Sequence, residues 1–151
     1  MIVGIHHLAI SVPDIEVGLR FYRDAFGFEV VQESSWDDFP LADRAIGLEK
    51  TAARMYMLKA PNMYVELWEY RNPQPEDRRQ RPCDWGYPHF ALQVRGIAEE
   101  YARLQAAGMT FVGEPVDFGA SSAIYGKDPF GNVIELYEIR SPDIAQLPDP
   151  G

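Results

Sequence analysis

Length, composition and charge set the first limits on this chain. Its 151 residues suit one domain, and 46% hydrophobic and 13% aromatic residues suffice for a buried core. A net charge of -9, from 14 basic and 23 acidic side chains, argues against a nucleic-acid ligand, because phosphate binding needs clustered Lys and Arg. One cysteine excludes an internal disulfide, and no run reaches the ~18 apolar residues that a membrane span needs. The first residues also lack the pattern of a signal peptide, so we do not expect one. We therefore expect a soluble, cytoplasmic protein.

One sequence pattern occurs twice along the chain. Residues 5–15 read IHHLAISVPDI and residues 87–97 read YPHFALQVRGI. They align when His7 is set against His89, an offset of 89 − 7 = 82 that also superposes several apolar positions. Internal repetition of this kind predicts two copies of one structural unit.

A helical run follows each of these strand-like runs. Residues 14–26 and 97–107 carry apolar side chains with the i, i+4, i+7 spacing of an amphipathic helix. Asp14 is placed to cap the first helix, and Gly27 and Gly108 stand where the two helices should end. Each half then continues with further strands, so that both read β-α-β-β-β. The predicted strands are 5–12, 28–33, 54–59 and 63–69 in the first half, and 88–94, 110–114, 122–126 and 132–138 in the second.

These elements predict a single domain over residues 1–151, made of two modules. The first module covers about 3–70 and the second about 87–139. A linker at 71–86, rich in proline and charged residues, joins them, and a flexible tail at 141–151 follows the second module. The first copy is longer than the second. Its extra residues fall in 36–52, an apolar segment that is either a lid or pocket wall, or a surface turn that packs on its own core.

Side-chain alternation places four polar residues on equivalent faces. Residues i and i+2 of a strand share a face, and in four of the predicted strands the aliphatic residues occupy the face that should pack on the helices. The opposite face carries one acid or histidine in each strand: His7, Glu66, His89 and Glu135. A lone histidine on a strand is more often a core residue with satisfied hydrogen bonds, but the repeat places both histidines and both glutamates equivalently.

A divalent cation is the group that such residues would suit. Burying a lone carboxylate costs several kcal/mol unless it is paired or bound to a metal. Imidazole and carboxylate ligands fit Ni, Co, Zn, Mn or Fe. Four further side chains lie on the same strand faces and either shape a substrate pocket or simply pack on the sheet: Tyr64, Trp68, Gln93 and Tyr137. Glu69 and Glu138 fall on the aliphatic faces near the strand ends, where we expect solvent to cover them.

Two stretches of sequence resemble a known family. IHHLAISVPDIEVGLRFYRDAFGFEVV opens the first half and KDPFGNVIELYEI closes the second. They are similar to the vicinal oxygen chelate superfamily, which contains glyoxalase I, methylmalonyl-CoA epimerase, extradiol dioxygenases and fosfomycin- and bleomycin-resistance proteins. The resemblance covers about residues 3–139. It implies an α+β fold in which two tandem βαβββ modules form a curved, incomplete barrel around a divalent metal ion.

The resemblance also implies a ligand set and a reaction. Carried over by position, the metal ligands are His7, Glu66, His89 and Glu135, a His-Glu-His-Glu set that looks like glyoxalase I. It implies a metal-dependent lyase or isomerase that shifts a proton on a small carbonyl substrate chelated through vicinal oxygens, with Glu135 as the base and Glu66 as the alternative. Dimers are common in the family, so we expect a homodimer that binds a small molecule and neither a nucleic acid nor a membrane.

Two other functions stay open at this point. One is an Fe(II)-dependent extradiol-type dioxygenase, although that class generally ligates its metal with two histidines and one glutamate. The other is a resistance-type protein that binds a small molecule without chemistry, although such relatives lack a comparable ligand set. Neither the substrate nor the metal is specified by any motif in the sequence.

Overall fold

The chain is described by a computed structural model that covers residues 1–79 and 81–147. It divides into two compact units, a first module at Met1–Asp77 and a second module from Arg78 onward. Each module contains a mixed sheet and a helix packed on it, so the predicted α+β class is confirmed. The element order is β-α-β-α-β-β in the first module and β-α-β-β-β-β in the second, so each has one element more than the predicted β-α-β-β-β. Of the predicted tail, residues 148–151 lie outside the described residues.

The first module is a four-stranded sheet with one long helix on its apolar face. Strand β1 is parallel to β4, and the other neighbouring strands are antiparallel in the order β1-β4-β3-β2. The elements are β1 His7–Ser11, α1 Ile15–Phe26, β2 Glu29–Asp37, α2 Pro40–Ile46, β3 Ala52–Lys59 and β4 Tyr64–Asn72.

Helix α1 forms and packs as its sequence predicts. The carboxylate of Asp14 accepts hydrogen bonds from the backbone N–H groups of Glu16 and Val17 at 3.0 Å, which confirms the predicted cap. Close approach to β4 requires a residue without a side chain, since a Cβ at Gly18 would stand 3.0 Å from Cδ2 of Leu67. The helix therefore lies directly on the central strands and covers their aliphatic face.

The second module repeats this arrangement with shorter outer strands. Strand β5 is parallel to β9, the order is β5-β9-β8-β6, and β7 also pairs with β8. The elements are β5 Phe90–Gln93, α3 Ile97–Ala106, β6 Thr110–Phe111, β7 Val116–Asp117, β8 Ser121–Lys127 and β9 Val133–Ile139. Its core lies between the helix and the sheet, where Leu104, Ile134 and Leu136 are almost completely buried.

Two strands are longer than predicted, because polar residues beyond their predicted ends also pair with a neighbouring strand. Strand β2 runs to Asp37 rather than to residue 33, because its polar second half pairs with β3. Strand β4 likewise includes Arg71 and Asn72, the first two residues of the predicted linker. The segment 36–52 contains a short helix, α2, that its sequence did not predict. In the described ranges no helix has the length and apolar character needed to cross a membrane.

Candidate metal centre

The first module brings His7 and Glu66 together at one end of its sheet. Ala9 on the edge strand β1 pairs with Glu66 on the neighbouring strand β4. His7 precedes Ala9 by two residues, so the side chains of His7 and Glu66 lie on the same face of the sheet. His7 Nε2 lies 3.3 Å from Glu66 Oε2. The imidazole is more exposed than the carboxylate, at 39% against 14% of the side-chain surface.

The second module repeats this pair with the same register. Ala91 on β5 pairs with Glu135 on β9, and His89, which immediately precedes β5, again lies two residues along. His89 Nε2 lies 3.2 Å from Glu135 Oε2. Burial raises the pKa of Glu135, while the charge of His89 and its hydrogen bond act in the opposite direction.

Each pair has the donors and the spacing of a divalent-metal half-site. Imidazole nitrogen and carboxylate oxygen bind such ions at about 2.1 Å, so two ligands at a right angle stand about 3.0 Å apart. The observed separations of 3.2 and 3.3 Å are close to that value. In addition, Nδ1 of His89 is buried and has no hydrogen-bond partner among the described residues. Since Nε2 is the atom that lies against Glu135, Nδ1 is not the nitrogen that would bind the ion and would need a separate hydrogen-bond partner.

The predicted four-residue set is thus present as two pairs. Within residues 1–79 and 81–147, no three or more His, Cys, Asp or Glu side chains gather closely enough to hold an ion. His7 is joined with Glu66, and His89 with Glu135, each inside its own module. Binding of one ion by all four stays a prediction.

Aromatic side chains surround Glu66. Trp68 lies two residues further along β4 and donates its indole N–H to Glu66 Oε2 at 3.0 Å. Tyr70 stacks on Trp68 at a centroid distance of 5.5 Å, and the edge of Trp36 meets the same ring at 5.4 Å. Burial raises the pKa of Tyr70, and the charge of Glu66 adds to this effect. Sequence alternation placed Trp68 on the same strand face as Glu66 but did not indicate Trp36, which contacts Trp68 from β2.

Segment 36–52 is anchored to the module through buried polar contacts. Asp43 in α2 accepts hydrogen bonds from the backbone N–H groups of Lys50 and Thr51 at 2.7 and 3.0 Å, and from the Thr51 hydroxyl. The Thr51 oxygen in turn accepts the indole N–H of Trp36 at 2.9 Å. Four apolar side chains of this segment are exposed: Phe39, Leu41, Ile46 and Leu48.

Around Glu135 the neighbours are different. Tyr125 on β8 pairs directly with Glu135, and its ring lies 4.8 Å from the ring of His89. Burial raises the pKa of Tyr125, with a further contribution from the charge of Glu135. Tyr137 takes the position that Trp68 has in the first module and is half-buried, whereas Gln93 is exposed. Sequence reasoning missed Tyr125, which the cross-strand register alone identifies.

Tyr64 stands beside both histidines of the first module. It pairs with His7 across β1 and β4, and its ring stacks on that of His6 at 5.0 Å. The Nδ1 atoms of His6 and His7 are 3.0 Å apart. Tyr64 therefore adds an aromatic surface next to the first pair, and the role of Tyr64, Trp68, Gln93 and Tyr137 in a substrate pocket stays a prediction.

Comparison with known proteins identifies the family. The family model of the Glyoxalase/Bleomycin resistance protein/Dioxygenase superfamily matches residues 4–136 of the chain. This chain belongs to that superfamily. The resemblance seen in the opening and closing motifs is thereby confirmed, and the match spans both histidine–glutamate pairs.

Similar proteins include enzymes of two kinds. A 2-epi-5-epi-valiolone epimerase from an Actinomyces species is 31% identical over 150 residues, covering 91% of this chain and 80% of the epimerase. A lactoylglutathione lyase from Salmonella typhimurium is 24% identical over 136 residues, covering 89% of this chain and 91% of the lyase. The crystal structure of a glyoxalase family protein from Bacillus cereus superposes with a TM-score of 0.83 at 21% identity, covering 93% and 97% of the two chains.

Proposed function

We propose that this chain is a metal-dependent enzyme that shifts a proton on a small carbonyl substrate, as a glyoxalase I-type lyase or an epimerase. The observation that carries the proposal is the pair of equivalent histidine–glutamate contacts, one in each module, with the same strand register and separations of 3.3 and 3.2 Å. Membership of the superfamily and relatives that include an epimerase and a lyase support an enzymatic role.

Four side chains would hold the ion in this proposal: His7, Glu66, His89 and Glu135. Nickel, cobalt, zinc, manganese and iron are all compatible with two imidazoles and two carboxylates. The bound cation would act as a Lewis acid towards two neighbouring oxygens of the substrate and so acidify an adjacent C–H bond. The modules of one chain, or of two chains in a homodimer, would supply the two pairs.

Glu135 is the group that we assign to proton transfer. Its carboxylate would accept the acidified C–H proton and return it to the same or the neighbouring carbon. Return by Glu135 to the neighbouring carbon would give the isomer, whereas epimerisation would need a second acid, on the opposite face of the same carbon, to supply the proton there. A positioned general base of this kind typically contributes 10²–10⁴-fold to the rate. Glu66 is the alternative base.

Epimerisation is the reaction that we would assay first. The epimerase relative is 31% identical to this chain and the lyase relative 24%. Tyr64, Trp68, Gln93 and Tyr137 would line the substrate pocket beside the four ligands.

Proton exchange into deuterated water tests the proposal. The chain, loaded with each candidate metal in turn, is incubated with 2-epi-5-epi-valiolone or with a glutathione hemithioacetal, and ¹H NMR follows loss of the C–H signal and formation of product. We expect exchange that falls ~10²–10⁴-fold in Glu135→Gln. Oxygen-dependent turnover with iron would instead indicate the dioxygenase, and tight binding without exchange, unaffected by Glu135→Gln, would indicate a binding protein.

A further inference from the structure

The two modules surround their site glutamates differently, although the pairs themselves are equivalent. In β4 the residue two positions after Glu66 is Trp68, whose indole N–H donates to Glu66 Oε2 at 3.0 Å. In β9 the corresponding residue is Tyr137, and no hydrogen bond joins it to Glu135 among the residues that the structure describes. Glu66 thus has two polar side chains on one oxygen, whereas within residues 1–79 and 81–147 the carboxylate of Glu135 contacts the polar side chain of His89 alone.

We propose that Trp68 is a positioning residue that commits Glu66 to metal binding and thereby leaves Glu135 to transfer the proton. This inference rests on the proposed function. A hydrogen bond to a ligating carboxylate fixes its orientation and strengthens metal binding. A carboxylate that must swing towards a substrate carbon and back is better served by fewer restraints, which is the situation of Glu135.

Trp68 is itself held by a chain of contacts that ends in α2. Its ring contacts Tyr70, stacked at a centroid distance of 5.5 Å, and Trp36, in a T-shaped contact at 5.4 Å. Trp36 is fixed by its N–H bond to Thr51 Oγ1, and the Thr51 hydroxyl donates to Asp43. The indole of Trp68 therefore has little freedom to rotate away from Glu66. In this view the buried anchor of segment 36–52 braces the metal ligand rather than opening as a lid.

Metal affinity in matched tryptophan variants tests the inference. Trp68→Phe keeps an aromatic side chain but replaces the indole with a smaller phenyl ring, which has no N–H donor, and Trp85→Phe makes the same change at a residue that is 96% exposed. Titration with Mn²⁺ or Co²⁺ should show affinity 10–100-fold weaker in Trp68→Phe, the usual effect of removing a hydrogen bond to a ligand. Trp85→Phe should bind as the unmodified chain does. Trp36→Phe should give a smaller loss, because it removes a more distant brace.

A second measurement uses the unmodified, ion-free chain, so the inference can be tested even if a variant fails to fold. The three tryptophans give three indole N–H signals in a ¹H–¹⁵N spectrum. The Trp68 signal should exchange with deuterated water at least tenfold more slowly than the Trp85 signal, because Trp68 donates to the half-buried carboxylate of Glu66 whereas Trp85 is 96% exposed.

The outcomes separate this inference from the proposed function. If the unmodified chain binds no ion, the proposed function fails. If it binds an ion and Trp68→Phe binds that ion as tightly as Trp85→Phe, only the positioning role of Trp68 is overturned. Equal indole exchange rates at Trp68 and Trp85 would also overturn it.

Discussion

Each site strand carries a second glutamate on the opposite face, and the structure predicts how much stability that residue provides. Glu69 lies three residues after Glu66, and its Oε1 accepts the backbone N–H of Ile15 at the start of α1 at 3.2 Å. Glu138 lies three residues after Glu135 and accepts the N–H of Gly96 at the start of α3 at 2.5 Å. Both were expected to be solvated, and that prediction was wrong: they cap helices.

The two caps should differ in magnitude because only one helix has a second cap. Helix α1 retains Asp14, which accepts two N–H groups of its first turn. The N-cap residue of helix α3 is Gly96, which offers no capping side chain of its own. Loss of an N-terminal cap costs about 0.5–2 kcal/mol, and the favourable charge at the helix dipole adds about 0.3–1 kcal/mol. We therefore expect Glu138→Ala to cost about 2 kcal/mol and Glu69→Ala about 1 kcal/mol.

Urea unfolding followed by far-ultraviolet circular dichroism measures both costs. Glu69→Gln and Glu138→Gln are the matched controls, since the amide keeps an acceptor oxygen and should lose only part of the stability. In thermal scans each kcal/mol should lower Tm by about 2–4 °C. Metal content should not change in any of the four variants. A larger cost for Glu69→Ala than for Glu138→Ala, or loss of metal from either, would refute the reasoning.

Two further predictions concern packing and pH. Gly126→Ala places a Cβ 2.6 Å from Met109 Cε and 2.8 Å from the Phe111 ring, so overpacking should lower the free energy of unfolding by about 1–3 kcal/mol; an unchanged urea midpoint would contradict this. The hydrogen bond from the Thr51 side chain lowers the pKa of Asp43 despite the opposing effect of burial. The ionised Asp43 carboxylate should therefore stabilise the folded chain fully above the ordinary pKa of about 3.9, and this stabilisation should be lost as pH falls below that value. Asp43→Asn should destabilise the chain at pH 7, with a deficit that shrinks below about pH 4; a deficit that is constant with pH would contradict the assignment.

Local sequence pattern was sufficient to predict the faces of the site strands. Alternation around Glu66 and Glu135 separates the aliphatic face from the polar one, and the structure buries Leu67 and Leu136 on the aliphatic side as predicted. The repeat then relates the two histidines through one offset, because equivalent strands have equivalent registers. These features depend on residues that are near one another in sequence.

Features that depend on pairing between strands far apart in sequence could not be predicted from local sequence pattern. Trp36 reaches Trp68 only because β2 and β4 both flank β3, and Tyr125 faces Glu135 only through the register of β8 with β9. The capping role of Glu138 depends on where α3 begins relative to the end of β9, a tertiary relationship that no local pattern contains.

Metal content of the intact chain tests the central claim most directly. The protein is purified without chelator, loaded separately with Ni²⁺, Co²⁺, Zn²⁺, Mn²⁺ and Fe²⁺, and analysed for bound metal beside His7→Ala and Glu135→Gln. We expect about one divalent ion per chain. His7→Ala should lose most or all of the bound metal and Glu135→Gln should bind it more weakly, because each variant removes a ligand from one of the two predicted pairs. Absence of bound metal after loading with every ion, or unchanged metal in both variants, would contradict the account.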